Sequence, residues 1–169
     1  MIHIYAHKSL ELAADPAIRS IVRAALSACA ARGVRLTPLR TRVFQLIAES
    51  RGPIKAYELL AVLRKDRGRA GPPTVYRALE FLSQHGLIRK VAAKSAYIVS
   101  RQPGDVHQRP LLVCESCGLV TELANELMDQ ILEGEARARG FRPTLKTMEV
   151  QGICADCHGP PQRAEAPSR

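Results

Sequence analysis

The sequence predicts an α+β protein made of two small domains, and three observations support this. Helix-periodic segments fill the first half and end in two short strand-like runs. A shorter strand, helix and strand pattern follows a segment with Pro103, Gly104 and Pro110. Four of the five cysteines fall in that second part. We therefore expect a flexible arm over 1–17, a first domain over 18–100, a hinge over 101–110, a second domain over 111–157 and a disordered tail over 158–169.

The first domain is predicted to be mainly helical. Its expected helices run from Ala17 to a stop at Gly33, from Pro38 behind a Thr37 cap to Gly52, from Ala56 to Lys65, and over 74–84 after a loop at 66–71. Strands are expected at Leu87–Val91 and Ala96–Val99, joined by a turn over Ala92–Ser95. Three or four short helices followed by a β-hairpin indicate a winged helix, an elaborated helix-turn-helix.

The second domain is predicted to be a small α/β module. We expect strands at Leu111–Cys114 and Leu119–Leu123 around a tight turn, a helix from Asn125 to Arg139 that stops at Gly140, and a third strand over Thr147–Gly152.

Charge is divided unevenly along the chain. Residues 1–100 carry 17 Lys+Arg against 6 Asp+Glu, whereas residues 101–169 carry 8 against 10. A basic half joined to a mildly acidic half favours a domain that binds a polyanion such as DNA, although a merely soluble basic surface fits the charge equally well. No apolar run approaches the roughly 18 residues that span a bilayer, and the N-terminus lacks a secretory pattern. We expect a cytoplasmic protein with no membrane partner.

The cysteines form two C-x-x-C pairs, Cys114 with Cys117 and Cys154 with Cys157. Zinc prefers four soft ligands in a tetrahedron, so two such pairs at strand ends predict one structural zinc ion per chain. A thiol oxidoreductase is the alternative from another class, but its C-x-x-C opens a helix, and here we expect both pairs to follow strands with neither opening a helix. Cys29 is expected to be a buried apolar residue.

Three segments together resemble the ferric uptake regulator family. These are Arg35-Leu-Thr-Pro-Leu-Arg40, Ala56-Tyr-Glu-Leu-Leu60 and Pro72-Pro-Thr-Val-Tyr-Arg-Ala-Leu79, in register with the two cysteine pairs. The third segment is most similar to the family's zinc uptake branch. The resemblance implies a homodimeric repressor whose N-terminal domain binds palindromic double-stranded operators when a regulatory metal is bound. It also implies that the C-terminal module dimerises, holds a separate structural zinc, and serves a regulator of zinc uptake genes.

The fourth predicted helix is expected to be the DNA recognition helix, because the N-terminal residues of such a helix reach the base edges. Tyr76 and Arg77 should lie in its first turn and face away from the leucine stripe. Arginine can bridge guanine O6 and N7, and a tyrosine ring can pack on a thymine methyl. Thr74, in the same helix, and Tyr57, which matches a DNA-facing family position, are further candidates. Expected phosphate contacts are Arg35, Arg40, Arg42, Lys55 and Lys90.

The regulatory metal site departs from the family pattern. The four ligand positions of the zinc branch match Arg89, Ser100, His107 and Glu122. Arginine does not coordinate zinc in this way, and a neutral serine hydroxyl is a poor ligand beside a thiolate. Two interpretations remain open: a zinc sensor with a rebuilt second site that uses His107, Glu122 and Asp105, or a family member that binds DNA without sensing zinc.

Overall fold

A computed structural model describes residues 15–50, 52–67, 71–100, 109–123, 126–143 and 147–159. Their contacts separate the chain into two compact units, a head unit (Met1–Gln108) and a C-terminal unit (Arg109–Arg169). The predicted arm, most of the predicted hinge and nearly all of the predicted tail lie outside the described residues. Across the described ranges, no helix combines the length and apolarity needed to cross a membrane.

The described residues of the head unit form four α-helices, α1 (Pro16–Ala31), α2 (Pro38–Glu49), α3 (Ala56–Arg67) and α4 (Pro72–Gln84). Asp15 caps α1 by accepting the Ala17 N–H at 2.8 Å, and Thr37 Oγ1 accepts the Arg40 N–H at 3.4 Å at the start of α2. Proline at the first helical position supplies a preset φ where the missing N–H costs nothing, which is why three of these helices begin at a proline.

A three-stranded antiparallel sheet completes the head unit, with strand order β1 (Ile54–Lys55), β3 (Ala96–Val99), β2 (Ile88–Val91). The hairpin turn carries Ser95 in the left-handed region at φ 49°. One continuous apolar core joins the helices to this sheet and includes Cys29, which is buried as predicted. The core's fully buried large side chains include Phe44, Leu59, Leu63, Leu79, Leu82 and Leu87.

Three details of the head unit differ from the sequence prediction. α4 begins at Pro72, capped by Gly71, so Thr74 is inside the helix and Tyr76 and Arg77 lie in its second turn. α3 continues through the predicted loop residues Asp66 and Arg67, and Asp66 has an ion-pair partner on α2. The two-residue strand β1 was not predicted, because so short an edge strand has no periodicity of its own.

The C-terminal unit contains β4 (Leu111–Cys114), β5 (Val120–Glu122), α5 (Glu126–Ala138), β6 (Glu149–Gly152) and the short helix α6 (Ala155–His158). β4 is the central strand, antiparallel to β5 and parallel to β6. α5 ends before Gly140, whose positive φ of 75° lets the chain turn out of the helix. The predicted strands and helix are all present: β4 has the predicted bounds, and the others are shorter by one or two residues at an end.

Candidate zinc site and nucleic-acid interface

The strands of the C-terminal unit bring both cysteine pairs to one end of the sheet. Cys114 ends β4, and its carbonyl accepts the Gly118 N–H at 3.0 Å, so the chain folds back and Cys117 lies in the turn. Gly118 has φ 77°, which only glycine adopts without steric cost. β6 runs beside β4 with Cys114 opposite Gly152, and the next turn delivers Cys154 and its partner Cys157.

The four thiol sulfur atoms form one cluster, all within 4.8 Å of one another. Cys117 Sγ and Cys154 Sγ are 3.6 Å apart, far beyond a disulfide bond length of about 2.05 Å. Zinc–sulfur bonds of about 2.3 Å in a tetrahedron place sulfur atoms about 3.8 Å apart, so the cluster has the size that one zinc ion requires. Cys114, Cys117, Cys154 and Cys157 are the residues that would hold it.

The electrostatics of the cluster favour a bound cation. Backbone N–H groups of Cys117 and Cys154 lower the pKa of the Cys114 thiol to about 6. A hydrogen bond shared with the Cys157 thiol, together with burial, raises the pKa of Cys154 to about 12. One thiol therefore ionises readily while its neighbour resists, and a positive ion between the sulfur atoms would favour the ionised form of all four thiols.

One expectation about the cysteines is wrong: Cys154 does open a helix. It is the N-cap of α6, and the Cys157 N–H donates to the Cys154 carbonyl at 2.9 Å. The physical reason is the turn itself, since returning a second ligand to the same ion three residues later winds the backbone into a helical turn. α6 is only four residues long, and Cys154 meets three other cysteines rather than a single redox partner.

In the head unit, α4 buries one side and exposes the other. Val75, Ala78, Leu79 and Leu82 are buried. Tyr76 is 57% exposed, and Arg77 and Thr74 are exposed as well. The helix is therefore held by its leucine stripe while a large aromatic ring and a guanidinium point to solvent, as a base-reading helix requires.

Tyr57, Lys55 and Lys90 also present exposed side chains. Tyr57, in the first turn of α3, is 64% exposed, and Lys55 Nζ lies 5.9 Å from the centre of its ring. Lys90 is on β2, opposite Tyr97 on β3. Burial and, second to it, the neighbouring charge of Tyr76 raise the pKa of Tyr97. Arg35 is exposed between α1 and α2.

Arg40 and Arg42 contact other groups of the head unit. The Arg40 guanidinium lies 3.4 Å from the centre of the Phe81 ring. Arg42 donates from Nε and Nη2 to Asp66 Oδ2 at 2.9 and 2.8 Å, and its Nη1 is 3.6 Å from Glu49. Neither Phe81 nor Asp66 was predicted as a partner, because contacts between residues far apart in the chain leave no periodic signal.

Removing the Arg42 ion pair should affect stability more than DNA binding. The Arg42 side chain is only 16% exposed, so we expect Arg42→Ala and Asp66→Ala each to lower the free energy of unfolding by about 1 kcal/mol, and the double variant to cost less than their sum. All four tyrosines lie within residues 1–108, so urea unfolding followed by tyrosine fluorescence reports on the head unit. Unchanged stability with a shallower salt dependence of DNA binding would instead make Arg42 a phosphate contact.

The residues matched to regulatory ligand positions are distributed over both units. Arg89 on β2 is 7% exposed and Ser100 after β3 is 6% exposed. The Ser100 N–H donates to the Leu87 carbonyl at 3.0 Å, so both positions belong to the wing. Glu122 is half-buried on β5, opposite Leu111. Asp105 and His107 lie outside the described residues. The wing positions thus carry a permanent cation and a hydroxyl rather than zinc ligands.

A winged helix with an exposed recognition helix, together with a cluster of four cysteine thiols in a small α+β unit, defines the class of winged-helix DNA-binding proteins with a structural zinc site. The model of the ferric uptake regulator family matches residues 31–151. The Zinc uptake regulation protein of Escherichia coli strain K12 is 39% identical over 132 residues, which cover 76% of each chain. The protein of that name from Mycobacterium tuberculosis is 31% identical over 127 residues, 75% of this chain and 97% of the relative. The chain belongs to the ferric uptake regulator family.

Solved structures of zinc uptake regulators have the same fold. One, described as a zinc uptake regulator complexed with zinc and DNA, superposes with a TM-score of 0.78 at 35% identity, covering 84% of this chain and 95% of the other. The crystal structure of holo XcZur superposes with a TM-score of 0.75 at 43% identity, covering 81% of this chain and 96% of the other.

Proposed function

We propose that this chain is a homodimeric, zinc-responsive repressor that binds operator DNA through α4 and controls zinc uptake genes. The exposure of Tyr76 and Arg77, on a helix whose opposite side is locked into the core, carries this proposal. The zinc uptake regulators with 31–39% identity and the related structure solved with zinc and DNA support it. Such a protein acts as a regulator rather than an enzyme, and works in the cytoplasm, where the operators are.

The sheet of the C-terminal unit supports the dimer. Leu112, Leu119, Val150 and Ile153 are large apolar side chains that remain 38–49% exposed in a single copy. They line an open cavity of about 180 Å³ on the sheet. Exposed apolar surface next to a small core favours association with a second copy. Two copies then provide the two recognition helices that a palindromic operator requires.

The structural zinc would stabilise the C-terminal unit. When bound, it cross-links the ends of β4 and β6 through four thiolates and contributes directly to folding. The four cysteines would then hold the ends of these strands together and so keep the sheet of the proposed dimer interface in place. Zinc responsiveness needs a second ion, for which the proposed ligands are His107, Glu122 and Asp105.

A zinc titration of operator binding tests this proposal. The operator is selected by the wild-type protein from a random duplex library, and its affinity is measured at fixed salt across buffered free zinc, with the structural zinc retained throughout. We expect at least a tenfold rise in affinity with zinc, within the usual range of allosteric coupling, because a bound ion restricts the orientation of the DNA-binding units. His107→Ala should abolish the rise, and Arg89→His with Ser100→Cys should shift it to lower free zinc.

The alternative is a family member that binds DNA without sensing zinc, and the buried Arg89 in the wing favours it. A response that stays flat in the wild type but appears in Arg89→His with Ser100→Cys would establish this alternative. Failure to enrich any sequence from the library would contradict both functions.

A further inference from the structure

We propose that Arg40 is a positioning residue that fixes the rotation of α4 about its own axis, and that it is not a phosphate contact. This inference rests on the proposed DNA-binding function and concerns how that function achieves sequence specificity. Its basis is the stack of the Arg40 guanidinium on the Phe81 ring in the last turn of α4.

The contact is close and has support on both sides. Arg40 Cζ lies 3.4 Å from the Phe81 ring centre, near the distance of direct face contact. Arg40 Nη1 donates to the Arg35 carbonyl at 3.5 Å, so the guanidinium is also tied to the segment before α2. On the other element, the His85 ring lies 4.3 Å from Phe81, tilted by 54°, and belongs to the cap of α4. Arg40 is half-buried in this arrangement.

The position of Arg40 in α2 makes the stack energetically relevant. Arg40 is in the first turn of α2, directly after the Thr37 cap. The positive end of a helix dipole disfavours a cation in the first turn, and the electron-rich face of an aromatic ring offsets that cost. A planar guanidinium stacks on the ring, whereas a lysine ammonium presents only a compact charge.

The geometry of α4 explains why a lateral contact matters. The buried stripe of Val75, Leu79 and Leu82 holds α4 against the core, and contacts beside the stripe limit how far the helix can roll about its axis. Phe81 is half-buried beside this stripe and packs against the same core, one turn after Arg77 on the same side of the helix. For a helix about 10–12 Å wide, a roll of about 10° moves a side chain by about 1 Å. That displacement is enough to misalign a bidentate contact to a base.

Two single variants and two controls separate positioning from phosphate contact. Arg40→Lys keeps the charge and removes the planar stack, and Phe81→Leu keeps an apolar side chain and removes the ring. Phe81→Tyr, which keeps the ring, and wild type are the matched controls. Affinity is measured on the selected operator and on a scrambled duplex over a series of salt concentrations, and tyrosine fluorescence verifies that each head unit is folded.

We expect Arg40→Lys and Phe81→Leu each to lower operator affinity by about three- to tenfold, with scrambled-duplex affinity and the salt slope unchanged. The double variant should be no weaker than the weaker single variant, and Phe81→Tyr should behave as wild type. The proposal is overturned if Arg40→Lys retains full specificity, or if Phe81→Leu leaves operator affinity unchanged. If Arg40→Gln lowers operator and scrambled-duplex affinity equally and makes the salt slope smaller by about 0.9, Arg40 is a phosphate contact. If wild type does not prefer the operator, the proposed function fails instead.

Discussion

Cys154→Ser should release zinc, unfold the C-terminal unit and leave the protein monomeric. Among the described residues of that unit, the buried hydrophobic side chains are only Leu111, Val113 and Cys114. So small a core cannot offset the conformational entropy of folding without a cross-link such as a structural metal ion. Structural zinc contributes about 10–16 kcal/mol in zinc-finger peptides, which is comparable with the whole stability of a domain.

The positions of the tyrosines allow the unfolding of the C-terminal unit to be measured separately from that of the head unit. Because the C-terminal unit contains no tyrosine and the chain has no tryptophan, tyrosine fluorescence should keep its native value while far-UV circular dichroism falls. The zinc content of the purified protein reports whether the ion is bound, and sedimentation reports whether the protein is a dimer. Cys29→Ala is the matched control, since Cys29 is buried in the head unit and outside the cluster. A Cys154→Ser protein that retains one zinc ion and remains a folded dimer would contradict the structural role.

Arg77→Ala should produce the second large effect, a loss of operator affinity of about 1–3 kcal/mol, or about five- to 150-fold. Arg77 is exposed in the second turn of α4, next to Tyr76 and opposite the buried stripe. A guanidinium bridges guanine O6 and N7 with two hydrogen bonds, so its removal should relax the preference for one base. Repeating the library selection with the variant identifies the relaxed position.

Lys90→Ala is the comparison for this effect. Lys90 is an exposed cation on β2, so its removal should weaken binding about equally on all sequences and reduce the salt slope by about one. Arg77→Lys should retain part of the affinity and specificity, because an ammonium on a flexible stem lacks the rigid planar fork of a guanidinium. If Arg77→Ala binds the selected operator with wild-type affinity and specificity, α4 does not read the bases through this residue.

Local patterns in the sequence determined the elements and the metal site. The apolar spacing of Val75, Leu79 and Leu82 predicted the buried side of α4, and the thiols of the two C-x-x-C pairs meet in one cluster as predicted. These features depend on residues close in sequence, or on a donor set with strict chemical requirements. The fourth helix was predicted over 74–84 and begins two residues earlier, at Pro72, because proline at the first helical position favours a helix.

Only the tertiary structure decided what the charged side chains touch. Arg40 and Arg42 look alike in sequence, yet one stacks on Phe81 and the other pairs with Asp66 and Glu49. The parallel pairing of β6 with β4, which brings Cys154 back to Cys114, was likewise absent from the local pattern. A long side chain has many rotamers and reaches several neighbours, so its partner depends on how helices pack rather than on the residues beside it in the chain.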